Sequence, residues 1–227
     1  MTRDKAQFQI EGLIFDCDGV MIESEDANRY FYNTILAALN LPPMTAEQEK
    51  FAFMATAKDA LLAMTPKTLH EKLDTAASSA INYARDVMPR VRLMPGFTKL
   101  LKKAKESGLK MAIDTNRTAE GIQRVLDFFA LQDYFEPVIS SSVAPPKPDP
   151  AGALEICGRW NAAPRNVLFV GDSENDMLTA QNAGINFAAF KNPSLEAAVH
   201  ISGFAQLESL LFDGKRSLVK PVCQHQE

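Results

Sequence analysis

Two aspartates one residue apart, Asp16 and Asp18, follow an apolar run and precede Gly19. A hydroxyl and an amide, Thr115 and Asn116, follow a second apolar run, with Asp114 directly before them and Arg117 directly after. Lys147 lies in the proline-rich stretch Pro145-Pro146-Lys147-Pro148-Asp149-Pro150. Asp172 and Asp176 follow a further apolar run, within Gly171-Asp172-Ser173-Glu174-Asn175-Asp176. If these groups converge, their carboxylates repel one another and need a cation. Oxygen ligands with no His or Cys among them select a hard ion such as Mg²⁺. His70, His200 and His225 all fall outside these motifs and read as surface or packing residues, so zinc chemistry and a serine–histidine relay have no support. A carboxylate beside Mg²⁺, with a lysine and a hydroxyl aimed at the same point, suits phosphoryl transfer. Metal and lysine neutralise phosphate oxygens while the carboxylate attacks in line.

Convergence requires a scaffold, and the hydrophobic pattern supplies one. Ile10 to Phe15, Leu109 to Asp114, Pro137 to Ser140, Val167 to Val170 and Ile185 to Phe190 read as strands. Between them run helical stripes. Phe97, Leu100, Leu101 and Ala104 lead to a left-handed stop at Gly108, and Ile122, Val125, Leu126 and Phe129 form a second stripe. A helix starts at Asp149-Pro150, with an acid as cap and proline in the first turn, and another passes Met177 and Ala180 to end at Gly184. Alternating strands and helices imply an α/β fold, a Rossmann-like doubly wound parallel sheet. Residues from about Ile22 to Leu93 instead read helical throughout. Phe31, Ile35, Ala38 and Leu39 make one stripe, Thr45 and Gln48 form a capping box, and Leu69, Leu73, Ala76 and Ala80 mark a helix running towards Pro89. The expected organisation is therefore an α/β core of residues 1–21 and 92–227 with an all-α insert of residues 22–91. Such sheets bind ligands beyond the carboxyl ends of their strands, which puts Asp16, Asp18, Thr115, Asn116, Lys147, Asp172 and Asp176 on one rim.

The chain has 227 residues, with 24 Lys and Arg against 28 Asp and Glu, and a net charge of −4. Hydrophobic residues at 46% and charged residues at 23% exclude a disordered or collagen-like chain. The acidic balance argues against nucleic acid or an anionic membrane as partner, since both demand a basic face. No apolar run is long enough to span a bilayer, and the polar start, Met1 to Glu11, has no signal-peptide core. Cys17, Cys157 and Cys223 are scattered with no paired framework; Cys17 and Cys157 read as small core residues, which fits a reducing, cytoplasmic compartment better than a disulfide. Residues 216–227 show no periodic pattern, and nothing in the sequence signals an oligomeric state.

Phe15-Asp16-Cys17-Asp18-Gly19-Val20 resembles the first motif of the haloacid dehalogenase superfamily. Thr115-Asn116 resembles its second, Lys147 its third, and Gly171 to Asp176 its fourth, all in order along nearly the whole chain. The resemblance implies a nucleophilic role for Asp16, through an aspartyl-phosphate. It implies acid–base catalysis by Asp18, and phosphoryl binding by Thr115, Asn116 and Lys147. Mg²⁺ would be held by Asp16, Asp172 and the backbone carbonyl of Asp18, with Asp176 in support. The helical insert lies where many members carry a cap. An acid at Asp18 favours a phosphatase acting on a small phosphorylated metabolite, of the phosphoglycolate phosphatase or β-phosphoglucomutase branch, because an alkoxide leaving group needs a proton. A phosphomutase is the close alternative, and a phospho-accepting signalling module the more distant one. Pro146 stands where the family often has glycine.

Other residues have plainer readings. Strand alternation would turn Asp114 away from the site. Arg117 is either a solvated arginine at a helix start or a contact to a substrate anion. Cys17 points to the core, and Asp26, Asp74, Asp86 and Asp127 are surface charges. Glu23, Asn28 and Lys58 could meet a substrate from the insert, whereas Tyr30, Phe31, Tyr32, Phe51 and Phe53 read as its core.

Overall fold

The computed structural model describes residues 10–213. Cys223, His225, the aperiodic stretch 216–227 and nearly all of the polar N-terminal run lie outside them. The chain enters on β1 (Gly12–Phe15) and turns into β2 (Ile22–Glu23). It then forms α1 (Glu25–Ala38), α2 (Ala46–Met54), α3 (Ala57–Met64) and α4 (Leu73–Ala80) before returning through β3 (Arg92–Leu93). The remainder alternates: α5 (Phe97–Glu106), β4 (Lys110–Thr115), α6 (Ala119–Phe129), β5 (Val138–Ser140), α7 (Ala151–Trp160), β6 (Val167–Gly171), α8 (Glu174–Ala183), β7 (Asn186–Phe190), β8 (Val199–Ile201) and α9 (Phe204–Phe212).

Six strands form one parallel sheet in the order β5-β4-β1-β6-β7-β8. The chain moves outward from β1 on one side, to β4 and β5, and then on the other, to β6, β7 and β8. The crevice opens where those directions part, at the carboxyl end of β1. Register sharpens this, because Phe15 is level with Ile113 of β4 and with Val170 of β6. Asp16 therefore emerges beside the ends of both neighbours, and its N–H donates to the Val170 carbonyl at 3.0 Å.

Side chains of the central strands alternate between two cores. Leu13 and Phe15 face α5, α6 and α9, against Phe97, Leu100, Val125 and Phe204. Ile14 faces α7 and α8, against Ile156, Trp160 and Ala180. A strand buried on both faces has no polar alternation, as the unbroken apolar run of β1 shows. The α5 stripe is fully buried, and Gly108 follows it at φ 72°, the left-handed turn the sequence reading expects. At the start of α7 the helix begins one residue later than expected, with Asp149 Oδ1 accepting from Ala151 N–H at 2.9 Å.

The helical segment has its own apolar cluster, built from Tyr32, Ile35, Leu36, Ala52, Ala60, Leu61 and Leu73. The Thr45–Gln48 capping box opens α2. Two expectations need correction here. The segment is not helical throughout, because β2 and β3 pair antiparallel as a two-stranded ribbon at its base. The helix predicted to run towards Pro89 stops at Ala80, where Ile81 turns extended and a single π-type turn, Tyr83–Val87, follows. β8 and α9, after the last strand read from the sequence, complete the sheet and one core. Among the described residues no helix is long and apolar enough to cross a membrane.

Candidate active site

The loops after β1, β4 and β6, with the loop before α7, bring the predicted residues together. Lys147 is the hub: its Nζ donates to Asp16 Oδ1 at 2.6 Å and to Asp176 Oδ1 at 2.5 Å. Lys147, Asp16 and Asp176 are all buried. Asp16, Asp172 and Asp176 each offer an oxygen within 4.8 Å of the others. An all-oxygen set of this spacing fits a small hard divalent cation. The charges agree with that, since four carboxylates (with Asp18) face two cations, Lys147 and Arg117.

Asp176 is held by a capping box that the Ser-x-x-Asp spacing announces. Ser173 Oγ accepts from the Asp176 N–H, while Asp176 Oδ2 accepts from Ser173 Oγ at 2.6 Å and from the N–H groups of Ser173 and Asp172. The Asp172 carboxylate accepts no hydrogen bond among the described residues, and its backbone carbonyl is fixed by Asn192 Nδ2 at 2.8 Å. Gly19 makes room for it: the glycine has φ 78°, and a Cβ there would lie 2.1 Å from Asp172 Oδ2.

The crowding sets the electrostatics. Burial, reinforced by Asp176 and Asp18 and opposed by Lys147, raises the Asp16 carboxyl to about 7. Burial together with Asp176 and Asp16 lifts Asp172 to about 9. Burial alone would favour neutral Lys147, but the charges of Asp16, Asp176 and Asp114 hold its ammonium well above the usual range. Both acids thus need positive charge beyond one lysine to stay ionised.

Asp18 stands apart from the other acids. Its Oδ2 accepts from Arg117 Nε at 2.7 Å, and its Oδ1 accepts from Arg117 Nη2 at 2.6 Å and from Ser24 Oγ. Burial pushes this carboxyl up, but the charge and hydrogen bonds of Arg117, with Ser24, more than offset it and hold it below the usual range. Arg117 is therefore a largely buried ion-pair partner with a side chain 11% exposed, and not a solvated helix-start residue. Its Nη1 also donates to Tyr83 Oη at 2.9 Å, tying the core to the exit of the helical segment. Thr115 is buried and its Oγ1 accepts from Arg117 N–H at 3.2 Å. The Asn116 side chain is committed elsewhere: Oδ1 accepts from Lys147 N–H at 2.8 Å, and Nδ2 donates to the Met54 carbonyl at 3.0 Å.

That Met54 carbonyl, at the end of α2, also accepts from Asn175 Nδ2 at 3.3 Å, so two core amides hold the helical segment over the strand ends. Between them lies a cavity of about 600 Å³. Asp16, Asp18, Lys147 and Asp172 form its floor, and Phe31, Leu61, Leu62 and Leu73 line its other wall. Asn28 and Lys58 reach this cavity, as do His70 and Asp74, the latter expected as a surface charge. Glu23 lines the adjoining groove. The aromatic expectation holds only in part, because Tyr32 is core, Phe53 lines the cavity and Phe51 is exposed. Asp26, Asp86 and Asp127 bond to Arg29, Arg85 and Gln123 on the surface. Cys17 is fully buried, and burial pushes its thiol up. Asp114 turns under α7, against Gly152, where its Oδ2 is buried without a partner among the described residues. Sequence reasoning missed Ser24, Tyr83, Met54 and Asn175, which act through tertiary contacts and carry no local pattern.

Comparison with known proteins spans the residues that form this site. The family described as haloacid dehalogenase-like hydrolase matches residues 13–190. A phosphoglycolate phosphatase of Haemophilus influenzae is 32% identical over 188 residues, covering 78% of this chain and 83% of that protein. One from Rhodobacter capsulatus is 31% identical over 209 residues, covering 87% and 94%. A crystal structure of a HAD-superfamily hydrolase from Geobacter sulfurreducens superposes with a TM-score of 0.72 at 33% identity, covering 89% of this chain and 96% of that one. A predicted phosphoglycolate phosphatase from Haemophilus somnus shares the fold, with a TM-score of 0.77 at 23% identity and coverage of 91% and 99%.

Proposed function

The chain belongs to the haloacid dehalogenase-like hydrolase family, and within it we infer a phosphatase that hydrolyses a small phosphomonoester through a phosphorylated Asp16. The observation that carries this reading is the convergence of Asp16, Asp172 and Asp176 around Lys147 at the end of β1. The oxygen-only donor set and the excess of negative charge support Mg²⁺ as the cofactor, held by Asp16, Asp172 and the Asp18 carbonyl, with Asp176 in support. When bound, it supplies positive charge to the nucleophile and to the phosphoryl oxygens.

The residues then divide the work. An Asp16 oxygen attacks phosphorus in line, and the ester P–O bond breaks with its electron pair passing to the leaving oxygen. Asp18, once it has taken up a proton from solvent, gives that proton to the leaving oxygen, so the product leaves as an alcohol. The resulting Asp18 carboxylate takes a proton from water as the water attacks the phospho-aspartate, which restores Asp16 and frees inorganic phosphate. Lys147 and Thr115 orient the phosphoryl group and balance its charge. Residues 22–91 act as a cap whose apolar wall excludes bulk water from the reacting atoms. The buried free thiols of Cys17 and Cys157 suit a reducing, cytoplasmic compartment.

The relatives named as phosphoglycolate phosphatases support a short phosphorylated acid as substrate. Product analysis on 2-phosphoglycolate and on a hexose 1-phosphate tests the reaction class. Free phosphate and the dephosphorylated alcohol are expected, whereas an isomerised sugar phosphate without phosphate release would assign a phosphomutase.

A further inference from the structure

Arg117 is bound to a carboxylate by two parallel N–H···O bonds, Nε to Asp18 Oδ2 and Nη2 to Asp18 Oδ1. This fork-on-fork geometry recognises the planar carboxylate group itself and not merely negative charge. The pair sits at the cavity wall, with side chains only 11% and 16% exposed, and both residues line the space open to substrate. A second contact fixes the guanidinium: Nη1 donates to Tyr83 Oη at 2.9 Å, and the Tyr83 ring lies under Arg124, 4.9 Å from guanidinium carbon to centroid. The arginine is therefore held in place independently of Asp18.

Its position carries chemical meaning. On the phosphatase reading, Asp18 must touch the leaving oxygen of the ester. In a two-carbon acid ester the carboxylate carbon lies about 2.5 Å beyond that oxygen, across two single bonds. Whatever borders Asp18 on the cavity side thus borders the substrate's own carboxylate, and Arg117 is that neighbour. Yet while the guanidinium grips both Asp18 oxygens, that acid is not free to serve the leaving oxygen.

The geometry points to an exchange of partners. We propose that Arg117 is the specificity-determining residue for a carboxylate attached to the ester carbon itself, and that the substrate's carboxylate replaces Asp18 in the guanidinium fork. Binding the correct substrate then releases Asp18 towards the leaving oxygen. An ester lacking the carboxylate leaves Asp18 clamped. The substrate class is that of short 2-phosphorylated carboxylic acids, and the selection acts on catalysis as well as on binding.

The test compares kcat/KM, with Mg²⁺, for 2-phosphoglycolate and for its carboxamide, in which a neutral amide of the same size replaces the carboxylate. The full chain should prefer the acid by about a hundredfold, with kcat contributing to the preference. In Arg117→Gln the ratio should fall to within about threefold of unity, and Arg117→Lys should retain part of it, as a point charge without the fork. A wild-type ratio near unity, which requires no variant, would overturn the proposal, as would a ratio unmoved in Arg117→Gln. If both esters still release phosphate in an Asp16-dependent way, the phosphatase reading survives that failure.

Discussion

Asp16 and Asp114 sit at the ends of adjacent strands, and the same burial that raises both carboxyls serves different ends. Asp16 shares Lys147 with Asp176, so its charge is partnered inside the site. Asp114 lies beneath α7 against Gly152, with one oxygen unpartnered among the described residues. Burial, eased by Lys147 and worsened by Asp176, raises it from 3.8 to about 6. Below about pH 4 this carboxyl is protonated in folded and unfolded chains alike and costs nothing. Between about 4 and 6 the unfolded chain loses the proton first, so stability falls as pH rises. Above about 6 the cost levels off on the order of 3 kcal/mol. Asp114→Asn should therefore stabilise the protein by about 1–3 kcal/mol at pH 7.5, with no gain at pH 4. Urea denaturation at the two pH values checks this, and an equal effect at both would mean that Asp114 is not a titrating burden. The motif acids were legible because each ends an apolar run. The Arg117–Asp18 pair was not, since 99 residues separate its members and only the β1–β4 register brings them together.

At the scale of elements, each motif is a strand end plus the turn that aims it. Gly19 shows the tolerance of that arrangement, because it combines positive φ with a carboxylate where a side chain would stand. Alanine in that conformation costs about 1–2 kcal/mol of backbone strain. Its Cβ would also displace Asp172. Gly19→Ala should weaken the Mg²⁺ requirement's half-saturation by about tenfold or more, read from a Mg²⁺ titration of phosphate release. Unchanged Mg²⁺ dependence would remove Asp172 from the metal site. Helices with clear stripes and stop signals, such as α5 before Gly108 and the Thr45 capping box of α2, were readable from periodicity. The β2–β3 ribbon was not, because two-residue strands carry no alternation. β8 is only three residues long and half exposed, and α9 begins on Gly203 without a side-chain cap, so neither offered a boundary signal.

For the whole molecule, a net charge of −4 and an anionic substrate are compatible because the two act at different ranges. Surface charges are screened within about 10 Å in ordinary salt. The buried field at the end of β1 is set by Lys147, Arg117 and the cation that the acids demand. The fold brings that field to the crevice where the sheet's connections part, and the helical segment closes over it through Met54 and Tyr83. The central claim is that Asp16 is the nucleophile of a Mg²⁺-dependent phosphatase. Phosphate release from 2-phosphoglycolate tests it most directly, measured for the purified full chain with Mg²⁺, with excess chelator, and in Asp16→Asn with Mg²⁺. The account predicts turnover in the first case only, with chelation and the substitution each lowering it at least about a thousandfold. Turnover that persists in Asp16→Asn, or in excess chelator, would contradict it.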